Sequence, residues 1–498
     1  HRIVNLMRKY YQSYFEIDLF AYSTIAGLAY GALMQNMDPD SAPFHTFSDK
    51  DKTTAEDIQK SCYGGLTFVV RRHLTTETTA QYPNEAQFTP SGDKINTIQS
   101  FDINSQYLTT LKSELPTGVP ITYRPDQSGN FRPNIGSASD TFSLVSLEWI
   151  EYMEAKLNLR ERGLVIQTAL NYGEVVLDSI KVDGFVLIDG IKHVFQFQGC
   201  LWHFCNLCYP KTTENATARD KKRSEDANKN QILAAAGHLH IIWECEWSEL
   251  KKRVNYSPKR LLLRKKISKE AFLQDFFGFV YVKMHISKRL KRELDSVGLP
   301  ILYDRREIDG KPMIIPSEKC SMLIYTPFLQ WLINMGVIVD AVHYAIEYYP
   351  CKSFACFAHK VERLRQKAFD EKNTSLTQCV KLIGNSAIGR LGLRVDKFSK
   401  TEIKSVESSK WALWTARVTN TEFISKKRVK ITKKPGSKSI TVLTHVYSAI
   451  LQLSKMHFYQ KIFGLAKISR PGAFSLAYLD TDSFCVGYHD SGCGLGSV

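Results

Sequence analysis

Hydrophobic and polar positions change their rhythm several times along the chain. Residues 1 to 60 place aromatic and aliphatic side chains at helical intervals, Leu6, Tyr10, Tyr14 and Phe15 among them, up to a turn signal at Asp38-Pro39-Asp40. From Gly64 to Pro120 short β-rich runs take over, Leu66-Thr67-Phe68-Val69-Val70 and Thr97-Ile98-Gln99-Ser100-Phe101-Asp102, separated by polar turns. A polar stretch from Asp126 to Ser139 follows. Residues 141 to 250 alternate helix-like and strand-like segments, end at Ile241-Ile242-Trp243-Glu244, and read as an inserted module. Short strands resume between Lys251 and Glu347, and Val361 to Gly389 predicts two basic helices broken near Asn373-Thr374-Ser375. Lys426, Lys427, Arg428, Lys430, Lys433, Lys434 and Lys438 surround a Pro435-Gly436 turn signal, the layout of a basic β-hairpin. A long amphipathic run from Val446 to Ile468 leads into a strand from Phe474 to Leu479.

Composition narrows the class. With 498 residues and 44% hydrophobic content the chain is long enough for roughly three domains with buried cores. A formal net charge of +16 and a pI of about 9.2 give a positive field that attracts polyanions, nucleic acid first among them. No stretch approaches the roughly 20 apolar residues of a membrane-spanning helix. No leader peptide follows His1, so the chain reads as a fragment. Four of its 11 cysteines fall in the inserted module beside His203, a pattern closer to metal ligation in a reducing, intracellular compartment than to a secreted disulfide framework.

Three segments carry candidate chemistry. In Phe101-Asp102-Ile103-Asn104-Ser105-Gln106-Tyr107 a strand-like run delivers a carboxylate and then turns. Lys381-Leu382-Ile383-Gly384-Asn385-Ser386-Ala387-Ile388-Gly389 sets Lys381 and Asn385 one helical turn apart, on a shared face that could grip triphosphate. Tyr478-Leu479-Asp480-Thr481-Asp482-Ser483 places two carboxylates two residues apart, expected on one side of a strand, where repulsion is costly unless a cation neutralises it. In-line phosphoryl transfer needs such groups, because two metals about 3.5 to 4 Å apart stabilise the attacking and leaving oxygens. Magnesium takes carboxylate oxygens and substrate phosphates as ligands, and a lysine offsets charge on the phosphates.

In this order the three segments resemble motifs A, B and C of family B DNA polymerases. They are most similar to the protein-primed branch, as in self-synthesising Maverick or Polinton transposons and related viral and linear-plasmid elements. Cys62-Tyr63-Gly64-Gly65 resembles the family's Tyr-x-Gly-Gly element, which contacts template, and Glu114-Leu115-Pro116-Thr117-Gly118-Val119-Pro120 resembles the segment after motif A. The resemblance implies an α+β fold, an antiparallel palm sheet with helices and a helical fingers unit. It also implies Asp102 and Asp482 as ligands of two magnesium ions, with manganese as an alternative, and Asp480 as a supporting carboxylate. Tyr107 would exclude a ribose 2′-OH beside Ser105, and Lys381 would bind the deoxynucleoside triphosphate. Asn385 and Ser386 would line the nascent pair, with Lys367 or Arg365 as a second phosphate contact. Tyr63, Gly64 and Gly65, and in the hairpin Lys426, Lys427 and Arg428, would contact the DNA primer-template. The chain departs from the family at Gln106-Tyr107-Leu108, where Leu-Tyr-Pro is usual, and at Ile388, where an aromatic ring is usual.

Within the insert, Cys200, Cys205, Cys208 and Cys245 could supply a tetrahedral thiolate site for structural zinc that ties a loop to a following strand, with His203 as an alternative ligand. The Gly199-Cys200-Leu201-Trp202-His203 and Trp243-Glu244-Cys245 elements resemble those of the very-short-patch repair endonuclease and its restriction-endonuclease-like relatives, which implies an α/β module. That family's metal-binding Asp and catalytic His map to Asp183 and His203. Gln196 and Gln198 stand where relatives carry an acidic residue or a His, so a degenerate site lacking negative charge is expected, on a scaffold that binds DNA or protein with help from Lys221-Lys222-Arg223.

The expected organisation is a helical segment over 1–60 linking a missing exonuclease domain to the palm, and palm parts over 61–140, 251–350 and 446–498. The zinc module occupies 141–250, fingers 351–395 and the basic hairpin 396–445. The function implied is template-directed DNA synthesis, started from a terminal protein that the insert engages, without a membrane partner. A catalytically eroded DNA-binding remnant is the alternative, and an active zinc-containing endonuclease a third.

Overall fold

The computed structural model describes residues 2–38, 44, 46–47, 52–65, 67–72, 74–76, 88–103, 106–125, 131–134, 143–159, 162, 164–169, 174–210, 216–257, 273–309, 311–393, 400–408, 418–433, 442–468 and 472–489. The fold is mixed α+β. Helices α1 (Arg2–Phe15), α2 (Ile25–Gln35) and α3 (Lys52–Lys60) open the chain. Strands β1 (Thr67–Val69) and β2 (Thr97–Asp102), the short helix α4 (Gln106–Thr110), and strands β3 (Leu115–Pro125) and β4 (Phe131–Asn134) follow. The expected break at Pro39-Asp40 lies outside the described residues.

The insert begins with α5 (Leu144–Lys156) and continues through β5 (Val175–Leu177), β6 (Ile180–Val182), β7 (Gly184–Ile188) and β8 (Ile191–Gln198). Then come α6 (Cys200–His203), α7 (Ala216–Ala236), β9 (His238–Trp243) and α8 (Glu244–Arg253), which runs past residue 250. Its sheet has the order β7-β8-β9, antiparallel then parallel. Alternation along β8 gives the sheet two buried faces. Phe195 and Phe197 join Trp149 and Ile150 of α5 and Trp247 of α8, whereas Val194 joins Leu233 of α7.

After the insert come β10 (Gly278–Ile286), α9 (Lys288–Val297), β11 (Tyr303–Ile308), β12 (Lys311–Pro316), β13 (Lys319–Tyr325), α10 (Thr326–Met335) and β14 (Val337–Cys351). Two helices therefore stand where only short strands were expected, and β14 is 15 residues long. These strands build a five-stranded sheet of order β13-β10-β14-β3-β4. The two expected basic helices are α11 (Ala355–Asp370) and α12 (Thr374–Leu391). Asn373 caps α12 by accepting the Leu376 N–H at 3.0 Å, a contact worth about 1 kcal/mol that explains the break.

Strands β15 (Lys400–Ser405), β16 (Val418–Ser425) and β17 (Arg428–Lys433) form a separate sheet of order β15-β17-β16. Strands β16 and β17 turn at Lys426-Lys427, whereas the expected turn at Pro435-Gly436 lies outside the described residues together with Lys434 and Lys438. Helix α13 (Thr444–Ile468) precedes β18 (Phe474–Asp480) and β19 (Ser483–Tyr488). It is buried on several sides, as a helix at a domain centre should be. Val446, Ala449, Ile450 and Leu453 pack with α2, α11 and α12, and Phe458, Tyr459 and Ile462 with the core beneath both large sheets. Among the described residues no helix is long and apolar enough to cross a membrane.

Candidate active site

Strands β1, β18, β19 and β2 make a four-stranded antiparallel sheet whose register sets Thr67, Asp480, Ser483 and Asp102 in one row. Asp102 ends β2 and Asp480 ends β18. Asp482 does not share a strand with Asp480, as the sequence pattern suggested, but sits in the two-residue turn Thr481-Asp482 that joins β18 to β19. A hairpin forms because Ser483 pairs back onto Asp480. The Asp482 N–H donates to the Asp480 carbonyl and the Ile103 N–H to the Asp482 carbonyl, both at 2.7 Å, so the turn is stitched to the end of β2. Residues 102, 480 and 482 thus stand at one end of the sheet, Asp102 from a segment far from the other two in sequence.

Thr481 adopts φ +59°, which for a β-branched residue costs about 1 to 3 kcal/mol and calls for support from its surroundings. Gly65 supplies it. A Cβ at Gly65 would lie 2.4 Å from Thr481 Cγ2, so only a residue without a side chain lets the turn seat there. Thr67 Oγ1 donates to Asp480 Oδ1 at 3.0 Å and orients that carboxylate. Tyr63, next to Gly64 and Gly65, accepts a 3.0 Å hydrogen bond at its carbonyl from Lys455 Nζ, which also lies 5.3 Å from the centre of the Tyr63 ring. Burial brings the Lys455 ammonium down to about 7. A cavity of about 210 Å³ adjoins this loop, lined by Tyr63, Gly65, Thr67 and Lys455 among others.

Asp482 is raised above its ordinary value by burial first and then by Asp102 and Asp480, whereas its backbone N–H and the Lys381 ammonium act in the opposite direction. Mutual repulsion of this kind fits a site built for a divalent cation, which carboxylate oxygens ligate. Lys381 and Asn385 are both exposed on α12, on the face opposite buried Ile383 and Ala387, with half-buried Ser386 beside them. Leu108 of α4 lies 3.6 Å from where a Cβ on Gly384 would stand, which brings α12 close to the helix that follows β2. Tyr107 on α4 is half-buried and raised above its ordinary value by burial first, then by Tyr447 and Asp482.

Other candidates stand elsewhere. Lys367 donates to Tyr14 Oη at 3.2 Å, lies over the Tyr14 ring and approaches Glu371 at 3.9 Å, so its ammonium is engaged with α1. Arg365 is half-buried on the same helix. Lys426, Lys427 and Arg428 are exposed on their separate sheet. Ser105 lies outside the described residues. Sequence reasoning missed Thr67, Tyr447 and Lys455. A lysine that interrupts the apolar first half of α13 was the available signal for Lys455, since such residues are rarely buried without a purpose.

In the insert, Cys200, Cys205, Cys208 and Cys245 converge, with all four Sγ atoms within 4.8 Å of one another and Cys205 Sγ 3.7 Å from Cys245 Sγ. A tetrahedral ion with Zn–S bonds of about 2.3 Å needs sulfur atoms roughly 3.8 Å apart, so the donor set fits zinc. Cys245 lies in the first turn of α8, so a helix and not a strand is tied to the loop. Glu244 accepts the Cys200 N–H at 3.0 Å and joins the same two segments. His203 is not in this group: its Nδ1 meets Asp226 Oδ2 at 2.8 Å. Asp183 accepts the Phe197 N–H at 2.8 Å and is raised to about 6, by burial first and then Glu174, against the Phe197 N–H and His203. A cavity of about 220 Å³ is lined by Gln196, Gln198, His203 and Asp226. Asp226, which no motif flagged, adds a carboxylate to this lining and is engaged by His203 and Lys222. Of the basic run, Lys222 pairs with Asp226 at 3.1 Å within α7, and Arg223 donates to the carbonyls of Phe204 and Tyr209 and so braces the cysteine loop.

No family model and no curated protein match the sequence. Solved structures do. Phi29 DNA polymerase complexed with primer-template DNA is similar at a TM-score of 0.41 and 10% identity, over 97% of this chain and 50% of that one. The ternary complex of Phi29 DNA polymerase with primer-template DNA and incoming nucleotide substrates gives 0.40 and 9% over 96% and 50%. Its orthorhombic crystal form gives 0.40 and 9% over 93% and 48%, so the chain spans about half the length of the solved chains it resembles.

Proposed function

We propose that this chain is the nucleotide-joining part of a template-directed DNA polymerase, in which Asp102 and Asp482 hold two divalent cations and Asp480 supports them. The observation that carries this reading is the placement of Asp102, Asp480 and Asp482 together at one end of the β1-β18-β19-β2 sheet. Magnesium, when bound, would supply the charge that draws together a primer 3′ oxygen and the α-phosphate of an incoming deoxynucleoside triphosphate. The chain's own contribution is position. Asp102 and Asp482 fix the cations, Lys381 offsets triphosphate charge, and Asn385, Ser386 and Tyr107 shape the nucleotide pocket, where Tyr107 would exclude a 2′-OH. Gly64, Gly65 and Tyr63 would track the template, and the hairpin at Lys426-Lys427-Arg428 would hold duplex. The finer reading is protein-primed synthesis, with the zinc module as the contact for a terminal protein or the template.

Templated incorporation of labelled deoxynucleotide, with and without magnesium, tests the reading. DNA binding without incorporation would favour the eroded remnant, and nicking of plasmid DNA would favour the endonuclease. Lys381→Ala is expected to raise KM for the deoxynucleotide about 10- to 100-fold, the equivalent of losing a charged hydrogen bond of ~1.5 to 3 kcal/mol. Lys367→Ala should stay within about twofold, because that ammonium already serves Tyr14 and Glu371. Gly65→Ala should lower kcat by about tenfold or more at nearly unchanged melting temperature, since the new methyl displaces Thr481 and with it the Asp482 carboxylate. Steady-state kinetics beside circular dichroism separate these outcomes.

A further inference from the structure

We propose that His193, His238 and His240 form a second transition-metal site in the insert, distinct from the cysteine cluster and open to solvent on one side. Parallel pairing of β8 with β9 sets His193 opposite His238, and His240 follows two residues on, so all three rings share one face of the sheet. One ring nitrogen from each lies within 4.8 Å of the others, and His193 Nδ1 is 3.0 Å from His240 Nε2. Zn–N bonds of about 2.0 to 2.1 Å in a tetrahedron require nitrogens roughly 3.3 Å apart, so small ring rotations complete the set.

The rings are prearranged. His240 stacks on Phe195 at 4.6 Å between centroids and on His193 at 5.2 Å, and His238 stands edge-on to both. His238 is exposed, which leaves a fourth position for water or an outside ligand, the feature that separates open sites from closed structural ones. An all-imidazole set suits zinc, copper(II), nickel(II) or cobalt(II), whereas the four thiolates select zinc more narrowly. Lys156 at the end of α5 also faces His240 and opposes a cation there, so weaker binding than at the cysteines follows. His193 precedes Cys200, and His238 precedes Cys245, by the same interval. The two parallel strands therefore run from one metal site to the other, roughly 20 Å of extended chain.

The test uses the whole protein with one equivalent of zinc already bound, titrated with cobalt(II) and followed by its visible absorption and by metal analysis. A second equivalent is expected whose spectrum lacks thiolate charge transfer, and whose affinity falls at least tenfold in both His240→Gln and the exposed-site variant His238→Gln, with the zinc retained. Uptake of no second equivalent, or a second equivalent equally tight in both variants, would overturn the proposal and leave the His193–His240 contact as a hydrogen bond alone.

Discussion

Asp482→Asn is expected to lower metal-dependent deoxynucleotide incorporation on the order of 10³-fold, and at the same time to raise the melting temperature of the metal-free protein. Both follow from one arrangement. The Asp482 carboxylate is partly removed from water and lies in the field of Asp102 and Asp480, so its folded-state value lies above its unfolded one. Stability from such a group is fully present below the unfolded value and is lost as pH rises through the folded value. At neutral pH the metal-free protein therefore carries a repulsion that the amide does not. Magnesium or manganese should reverse the ranking, raising the melting temperature of the wild type and leaving the variant unmoved. Thermal melts across pH, with and without each cation, beside incorporation rates, check every part. A variant that retains incorporation would show that the reacting phosphates lie elsewhere.

The second large effect concerns the cysteine cluster. Stripping the metal, or introducing Cys245→Ser, should unfold much of residues 144–253 while the four- and five-stranded sheets keep their own transition. Structural zinc contributes about 10 to 16 kcal/mol of apparent binding free energy in small zinc domains, a loss that the remaining links offset only in part. Those links are the Glu244 to Cys200 hydrogen bond and the core of Trp149, Phe195, Phe197 and Trp247. Hydrogen exchange should show protection lost in α6, α7 and α8 first, because α6 and α8 carry the four thiols or adjoin them and Arg223 of α7 braces their loop. Equal protection with and without metal would mean that the thiols are free.

Local patterns in the sequence were enough to place Asp102 at a strand end, and to divide α11 from α12 at Asn373, whose side chain caps the second helix. They also placed Lys381 and Asn385 on one exposed face and brought the four cysteines into one candidate group. What the pattern misread were turns and pairings. Asp480 and Asp482 looked like two residues of one strand because nothing in Asp-Thr-Asp announces that Thr481 will take a left-handed backbone. The turn at Lys426-Lys427, closed by the pairing of Ser425 with Arg428, carries no glycine or proline to announce it, and Pro435-Gly436 lies outside the described residues. Helices α9 and α10 were read as strands because each is short and flanked by true strands. Asp226, Thr67 and the histidine trio depend on contacts between segments far apart in the chain, and no local periodicity encodes those.

Anomalous diffraction from the protein crystallised with primer-template DNA, an incoming nucleotide that cannot react, and manganese measures the central claim most directly. The account predicts manganese peaks bridging the carboxylates of Asp102 and Asp482 and the triphosphate, with Lys381 on the phosphate side. Peaks absent from that position while the nucleotide is bound, or bound between other carboxylates, would contradict it.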